Sequence, residues 1–101
     1  MIDIHLHGSF AHLRLARPPV NALNPALCLA LAAAVDQAVT DGAHGILLSG
    51  GARVFSAGLD VPYLMSLGED RAALGEAWQA FFAAARALAA SPIPIAVAME
   101  G

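Results

Sequence analysis

Three consecutive large apolar residues, Ile46-Leu47-Leu48, lie in a short stretch flanked by Gly45 and by Gly50-Gly51. Neighbouring side chains of a strand point to opposite faces, so a strand over Gly45 to Ser49 needs cover on both sides. Parallel sheets flanked by helices supply such cover, and helical patterns occur on both sides of the run. Upstream, Asn24-Pro25 is a helix start, with an N-cap side chain followed by proline at the first helical position. Leu27, Leu31, Ala34, Val35 and Ala38 recur at three- and four-residue intervals. The helix therefore runs to about Thr40, where Asp41-Gly42 closes it. Downstream, Val61 to Leu67 reads as a short helical piece that tolerates Pro62 in its first turn. A longer helix runs from Asp70 or its neighbour to about Ala90, with Leu74, Trp78, Phe81, Phe82, Ala85 and Leu88 as one bulky face. Ser91-Pro92 stops it, and Pro94 to Met99 forms a further apolar strand.

The first fifteen residues follow a different period. Ile2, Ile4 and Leu6 alternate with Asp3, His5 and His7, as in a half-buried strand. Gly8-Ser9 supplies a turn, and Phe10 to Ala16 resumes with Leu13 and Leu15 on one face and His12 and Arg14 on the other. The two segments predict a hairpin, ended at Arg17-Pro18-Pro19 because proline cannot donate to a ladder. The expected order is strand, strand, helix, strand, helix, strand in an α/β fold. No linker, repeat or low-complexity tract divides residues 1–101. A buried strand that reaches Gly101 lacks a following helix, so the chain is expected to be the N-terminal portion of a larger domain.

Composition narrows the function classes. The chain is 58% hydrophobic and 6% aromatic, and alanine supplies much of the apolar content. Alanine buries little area, so apolar surface is expected to remain for more chain or for a subunit. The net charge is −3, with five arginines and no lysine, and no basic stripe marks a nucleic-acid partner. Leu27 to Val35 is too short to span a bilayer, and Glu76, Gln79 and Arg86 interrupt Ala72 to Ala90. No secretory signal is visible, and the expectation is a soluble cytoplasmic protein without membrane contact. Cys28 lies in an apolar helical stretch and reads as a small buried hydrophobe.

Walker, dinucleotide and nucleophile-elbow patterns are absent; Val54, not glycine, lies two residues before Ser56. His5 and His7 share a strand face, which fits either a weak metal pair or solvated histidines, and no metal is expected. His12 and His44 read as solvated. Phe55 to Asp60 is more informative. Gly58 lets the backbone turn sharply and approach a ligand. If a helix begins just beyond it, free amides there attract negative charge, with Leu59 N–H as the best donor. An ordinary glycine loop between strand and helix fits the same residues.

Three motifs, Arg17 to Asn24, Val54 to Asp60 and Pro92 to Gly101, together resemble those of the enoyl-CoA hydratase/isomerase (crotonase) family. Arg17-Pro18-Pro19-Val20-Asn21-Ala22-Leu23-Asn24 resembles its early proline and Asn-Ala-Leu-Asn signature. Val54-Phe55-Ser56-Ala57-Gly58-Leu59-Asp60 resembles its Phe-Ser-Ala-Gly-Xaa-Asp oxyanion motif. Pro92 to Gly101 resembles the proline-led strand entering its second glycine motif. The three stand in family order across essentially the whole chain. The first two look most like the Δ3,Δ2-enoyl-CoA isomerase branch.

The resemblance implies the N-terminal part of a crotonase-like β-β-α spiral, ending before the region that builds trimers or hexamers. It implies an acyl-CoA thioester substrate and no separate cofactor. Leu59 N–H would be one of two donors to the thioester oxygen. Val20 and Ala22 would line the CoA path, the Ala57 backbone carbonyl would meet the adenine end, Gly58 would let the backbone approach the ligand, and Asp60 and Val61 would border the acyl pocket. Arg53 would face CoA phosphates, or stand solvated; Pro62 departs from a site often held by lysine. The second donor and the catalytic acids would lie beyond Gly101, so Glu100 is not among them. Two functions remain open: an isomerase or hydratase of fatty-acid metabolism, incomplete and inactive as these 101 residues, or a non-catalytic acyl-CoA-binding or docking module. Decarboxylation, dehalogenation and thioester hydrolysis share the same oxyanion strategy.

Overall fold

A computed structural model describes residues 1–51 and 55–98. Strand β1 (Ile2–His7) and strand β2 (Phe10–Leu15) form an antiparallel hairpin in which Ile4 faces Leu13 and His5 faces His12. Helix α1 (Pro25–Thr40) crosses over to strand β3 (Gly45–Ser49), which runs parallel to β2. Helix α2 (Val61–Ser66) and helix α3 (Arg71–Ala89) lead to strand β4 (Ile95–Ala98), parallel to β3. The sheet order is β1-β2-β3-β4. The expected α/β order is therefore observed, with the short helical piece preceding the long helix.

The helix boundaries follow from side chains that accept orphan amides. Asn24 Oδ1 accepts from Leu27 N at 2.8 Å, and Pro25 opens α1 without needing an N–H partner. Asp70 Oδ1 likewise accepts from Ala73 N at 3.0 Å to start α3. The core joins β2 and β3 to the two long helices: Ala11, Leu13, Leu15, Ile46 and Leu48 pack with Leu27, Leu31 and Val35 of α1. Cys28 is also enclosed, and burial pushes its thiol pKa up.

Three expectations are corrected. Strand β3 is covered on one face only: Ile46 and Leu48 are buried but Leu47 is exposed, because both long helices lie on the same side of the sheet. Strand β4 is an exposed strand, with Val97 48% accessible although its register partner Leu48 is buried. Strand β1 is exposed along nearly its whole length, including Ile4 and Leu6, although α1 touches it and Ile2 packs against the core.

The buried stripe of α3 also differs from its bulky face. Ala77, Ala80, Phe81 and Ala84 are buried against the core, while Trp78 and Phe82 remain 44% and 60% exposed. The spacing is that of one helix face, and its alanines allow α1 to approach closely. Trp78 instead meets Phe81 edge-on, ring centroids 5.4 Å apart. Met99, Glu100 and Gly101, which include the end of the expected last strand, lie outside the described residues.

Candidate functional site

Two segments far apart in sequence run side by side between the sheet and α2. Ala57 N donates to Val20 O at 2.9 Å, Leu23 N donates to Gly58 O at 2.7 Å, and Asp60 N donates to Leu23 O at 2.8 Å. Leu23 and Leu59 thereby form an isolated parallel bridge. This contact brings together Val20, Ala22, Ala57, Gly58, Leu59, Asp60 and Val61, which sequence reasoning placed in one site. Arg53 and the adjacent Val54 lie outside the described residues.

The bridge orients the Leu59 amide. In a trans peptide the carbonyl and the following N–H point to opposite sides. Gly58 O faces Leu23 N, so Leu59 N–H points away from the Val20–Leu23 segment. Among the described residues that amide has no acceptor. The Leu59 carbonyl accepts from Val61 N at 2.9 Å, which turns the chain into α2. Leu59 is 40% exposed, leaving approach from solvent open. Gly58 has φ +83°, a left-handed conformation that a side chain would strain, and open space surrounds the position a Cβ would occupy.

Polar side chains hold both sides of this loop. Asn21, itself only 4% exposed and at φ +53°, accepts from Arg17 N through Oδ1 at 2.7 Å. Its Nδ2 donates to Phe55 O at 3.0 Å. Ser56 Oγ donates to Asn21 O at 2.7 Å and accepts from Gly58 N at 3.1 Å. Arg17 donates from Nη1 to Ala22 O at 2.7 Å, while its Nη2 pairs with Asp60 Oδ2 at 3.0 Å. Asp60 Oδ1 accepts from Tyr63 N at 3.1 Å and caps α2. The Asp60 carboxylate is thus engaged with Arg17 and the helix start, while the Val61 side chain is exposed beside it. Close approach also constrains the entry to the loop, since a Cβ on Gly50 would overlap the Phe55 carbonyl.

Sequence reasoning assigned no role to the Arg17, Asn21 and Ser56 side chains. The only local signal is an Asn in a proline-rich turn, a residue that tolerates the left-handed region. Their partners lie up to 43 positions away and become visible only in the fold. The histidines form a separate group on the open sheet face, His5, His7 and His12 having ring centroids 6.1–6.4 Å apart. Three imidazoles on one zinc-like ion would stand roughly 5 Å apart, and His12 Nε2 instead meets Ser49 Oγ at 2.6 Å. Among the described residues no group of three or more His, Cys, Asp or Glu could hold a metal ion.

An amide with no acceptor among the described residues, on a backbone fixed from both sides, can donate to an oxygen that gains negative charge. The family model described as enoyl-CoA hydratase/isomerase matches residues 6–101. The chain belongs to this family. Solved structures of the family agree with the assignment. A probable enoyl-CoA hydratase from Mycobacterium tuberculosis is 34% identical, with a TM-score of 0.85 over 97% of this chain and 41% of its own. An enoyl-CoA hydratase/isomerase family protein from Silicibacter pomeroyi is 30% identical, with a TM-score of 0.83 over 96% of this chain and 42% of its own. An enoyl-CoA hydratase from Polaromonas sp. JS666, at 23% identity, shares the fold with a TM-score of 0.90 over 99% of this chain and 40% of its own. The chain thus spans about two fifths of the length of these structures. No curated protein matches it. Among the described residues, no helix is long and apolar enough to cross a membrane.

Proposed function

We propose that the natural protein is an acyl-CoA double-bond isomerase or hydratase in which Leu59 N–H is one donor to the thioester oxygen. The observation that carries this reading is the direction of that amide, away from Leu23 and without an acceptor among the described residues. Loss of an α-proton from an acyl-CoA moves an electron pair onto the thioester oxygen as an enolate. A donor already fixed in place stabilises that charge with little reorganisation, and losing one typically costs about 3–4 kcal/mol. A backbone donor leaves the side chain at position 59 free to vary. Val20 and Ala22 line the CoA path on this reading, and Ala57 and Gly58 bring backbone close to the ligand. Arg53 is proposed as a phosphate contact. None of residues 1–101 is assigned as the proton carrier.

Within the family, Pro18-Pro19-Val20-Asn21 and Phe55-Ser56-Ala57-Gly58-Leu59-Asp60 favour the isomerase branch. Assembly into trimers or hexamers is part of the same proposal for the natural protein. The test is Leu59→Pro in the natural protein at full length, which removes the N–H, beside Leu59→Ala, which keeps it. Leu59→Pro should lower kcat on an enoyl-CoA by roughly 100- to 1,000-fold, the usual effect of one lost donor. Leu59→Ala should stay within about threefold, because the donor is backbone. Unchanged turnover in a Leu59→Pro protein that retains its circular dichroism spectrum would remove Leu59 from the mechanism. Tight CoA binding without turnover in the unaltered protein would favour a binding module instead.

A further inference from the structure

We infer that Arg17 is a positioning residue for the Leu59 amide, acting through its ion pair with Asp60 while it holds the Ala22 carbonyl. The inference rests on the oxyanion reading above and concerns what keeps that donor aimed. The Leu23–Leu59 contact is an isolated bridge, two backbone hydrogen bonds long, with no continuing ladder to fix the peptide plane. Arg17 supplies the missing constraint. Its guanidinium is planar and presents donors in a rigid fork, so two partners held at once are held in a fixed relation.

Those partners lie on opposite sides of the bridge. Nη1 reaches Ala22 O, immediately before Leu23, at 2.7 Å; Nη2 reaches the carboxylate of Asp60, immediately after Leu59, at 3.0 Å. The Arg17 and Asp60 side chains are only 29% and 12% exposed, so water screens the pair less than a surface contact. At the other end of the loop, Ser56 Oγ ties Gly58 N to Asn21 O. The Gly58–Leu59 peptide is therefore clamped before and after, and Arg17 makes the clamp on the Leu59 side.

Arg17→Lys keeps the charge but loses the fork. Asp60→Asn removes the charge yet keeps an oxygen for Tyr63 N, so α2 remains capped and the variant should fold. The experiment uses the natural protein at full length and measures kcat and KM on an enoyl-CoA, with thermal melting alongside. Isotope-edited infrared spectroscopy follows the carbonyl stretch of bound 13C-labelled butanoyl-CoA. The unaltered protein should lower that frequency, since donors polarise the carbonyl.

Both variants should move the frequency back toward the free value and lower kcat about tenfold, with KM changed less than about threefold, as expected for a better-aimed donor in the transition state. The double variant should be no worse than the poorer single one, because both act on a single clamp. Folded variants with unaltered frequency and kcat, differing only in melting temperature, would overturn the inference and leave Arg17 a purely structural residue. If Arg17→Lys does not fold, Asp60→Asn decides alone. An unshifted carbonyl in the unaltered protein would instead sink the oxyanion reading, and this inference with it.

Discussion

Asn21 shows how one side chain can fix a loop that it does not belong to. It is nearly enclosed, and its amide sorts two neighbours by polarity: the carbonyl faces Arg17 N and the NH2 faces Phe55 O. Asn21→Asp preserves shape but sets a carboxylate oxygen against the Phe55 carbonyl. It should destabilise the fold by about 1–3 kcal/mol, the cost of a buried acceptor left without a donor. Urea denaturation would measure this, and an unchanged midpoint would show that the Phe55 contact contributes little. Leu59 stands at the opposite extreme, since on the proposed reading the property that matters there is an N–H shared by every residue except proline. This explains why a Pro and an Ala at the same position should behave so differently. Cys28, enclosed in α1 with its thiol pKa raised, stays a neutral apolar residue.

At the scale of elements, the lesson lies in α3. Its hydrophobic pattern contains two overlapping stripes, one of bulky side chains and one of alanines, and the amino-acid types alone favour the bulky one. The fold buries Ala77, Ala80 and Ala84 with Phe81, because a small-residue stripe lets two helices pack closely while Trp78 and Phe82 would hold them apart. Phe81→Ala should therefore cost about 3–4 kcal/mol by opening a cavity. Trp78→Ala should cost about 1 kcal/mol, mainly the lost edge-on contact with Phe81. Thermal melting of both variants checks the order, and a larger loss at Trp78 would mean that the bulky stripe carries the packing. Helix α1 offered no such ambiguity. Its Asn24-Pro25 start and its Leu27, Leu31, Val35 stripe are local signals, and its bounds and buried face follow them.

At the scale of the molecule, the Cα trace measures 46 × 28 × 17 Å, the thickness of a sheet and one helical layer. A two-layer slab buries one face of its sheet and leaves the other open. Leu47 is exposed for that reason, and Phe82, Val97, Leu6 and Met65 add apolar surface elsewhere. Surface of this kind promotes association. The 101-residue chain on its own should self-associate with rising concentration, as sedimentation velocity would show. A single monomeric species across the range would mean that these residues are dispersed too widely to form a sticky patch.

The sequence by itself determined the elements and their order, because caps, turns, prolines and the two hydrophobic periods act within a few residues. It also marked Leu59 as the notable amide, since a glycine turn is a local event. Only the tertiary structure decided which faces are buried, since cover depends on where helices land and how closely they approach. The same holds for the Arg17, Asn21, Ser56 and Asp60 network. Its long-range contacts join residues 34 to 43 positions apart, and no short-range pattern records a partner at that distance.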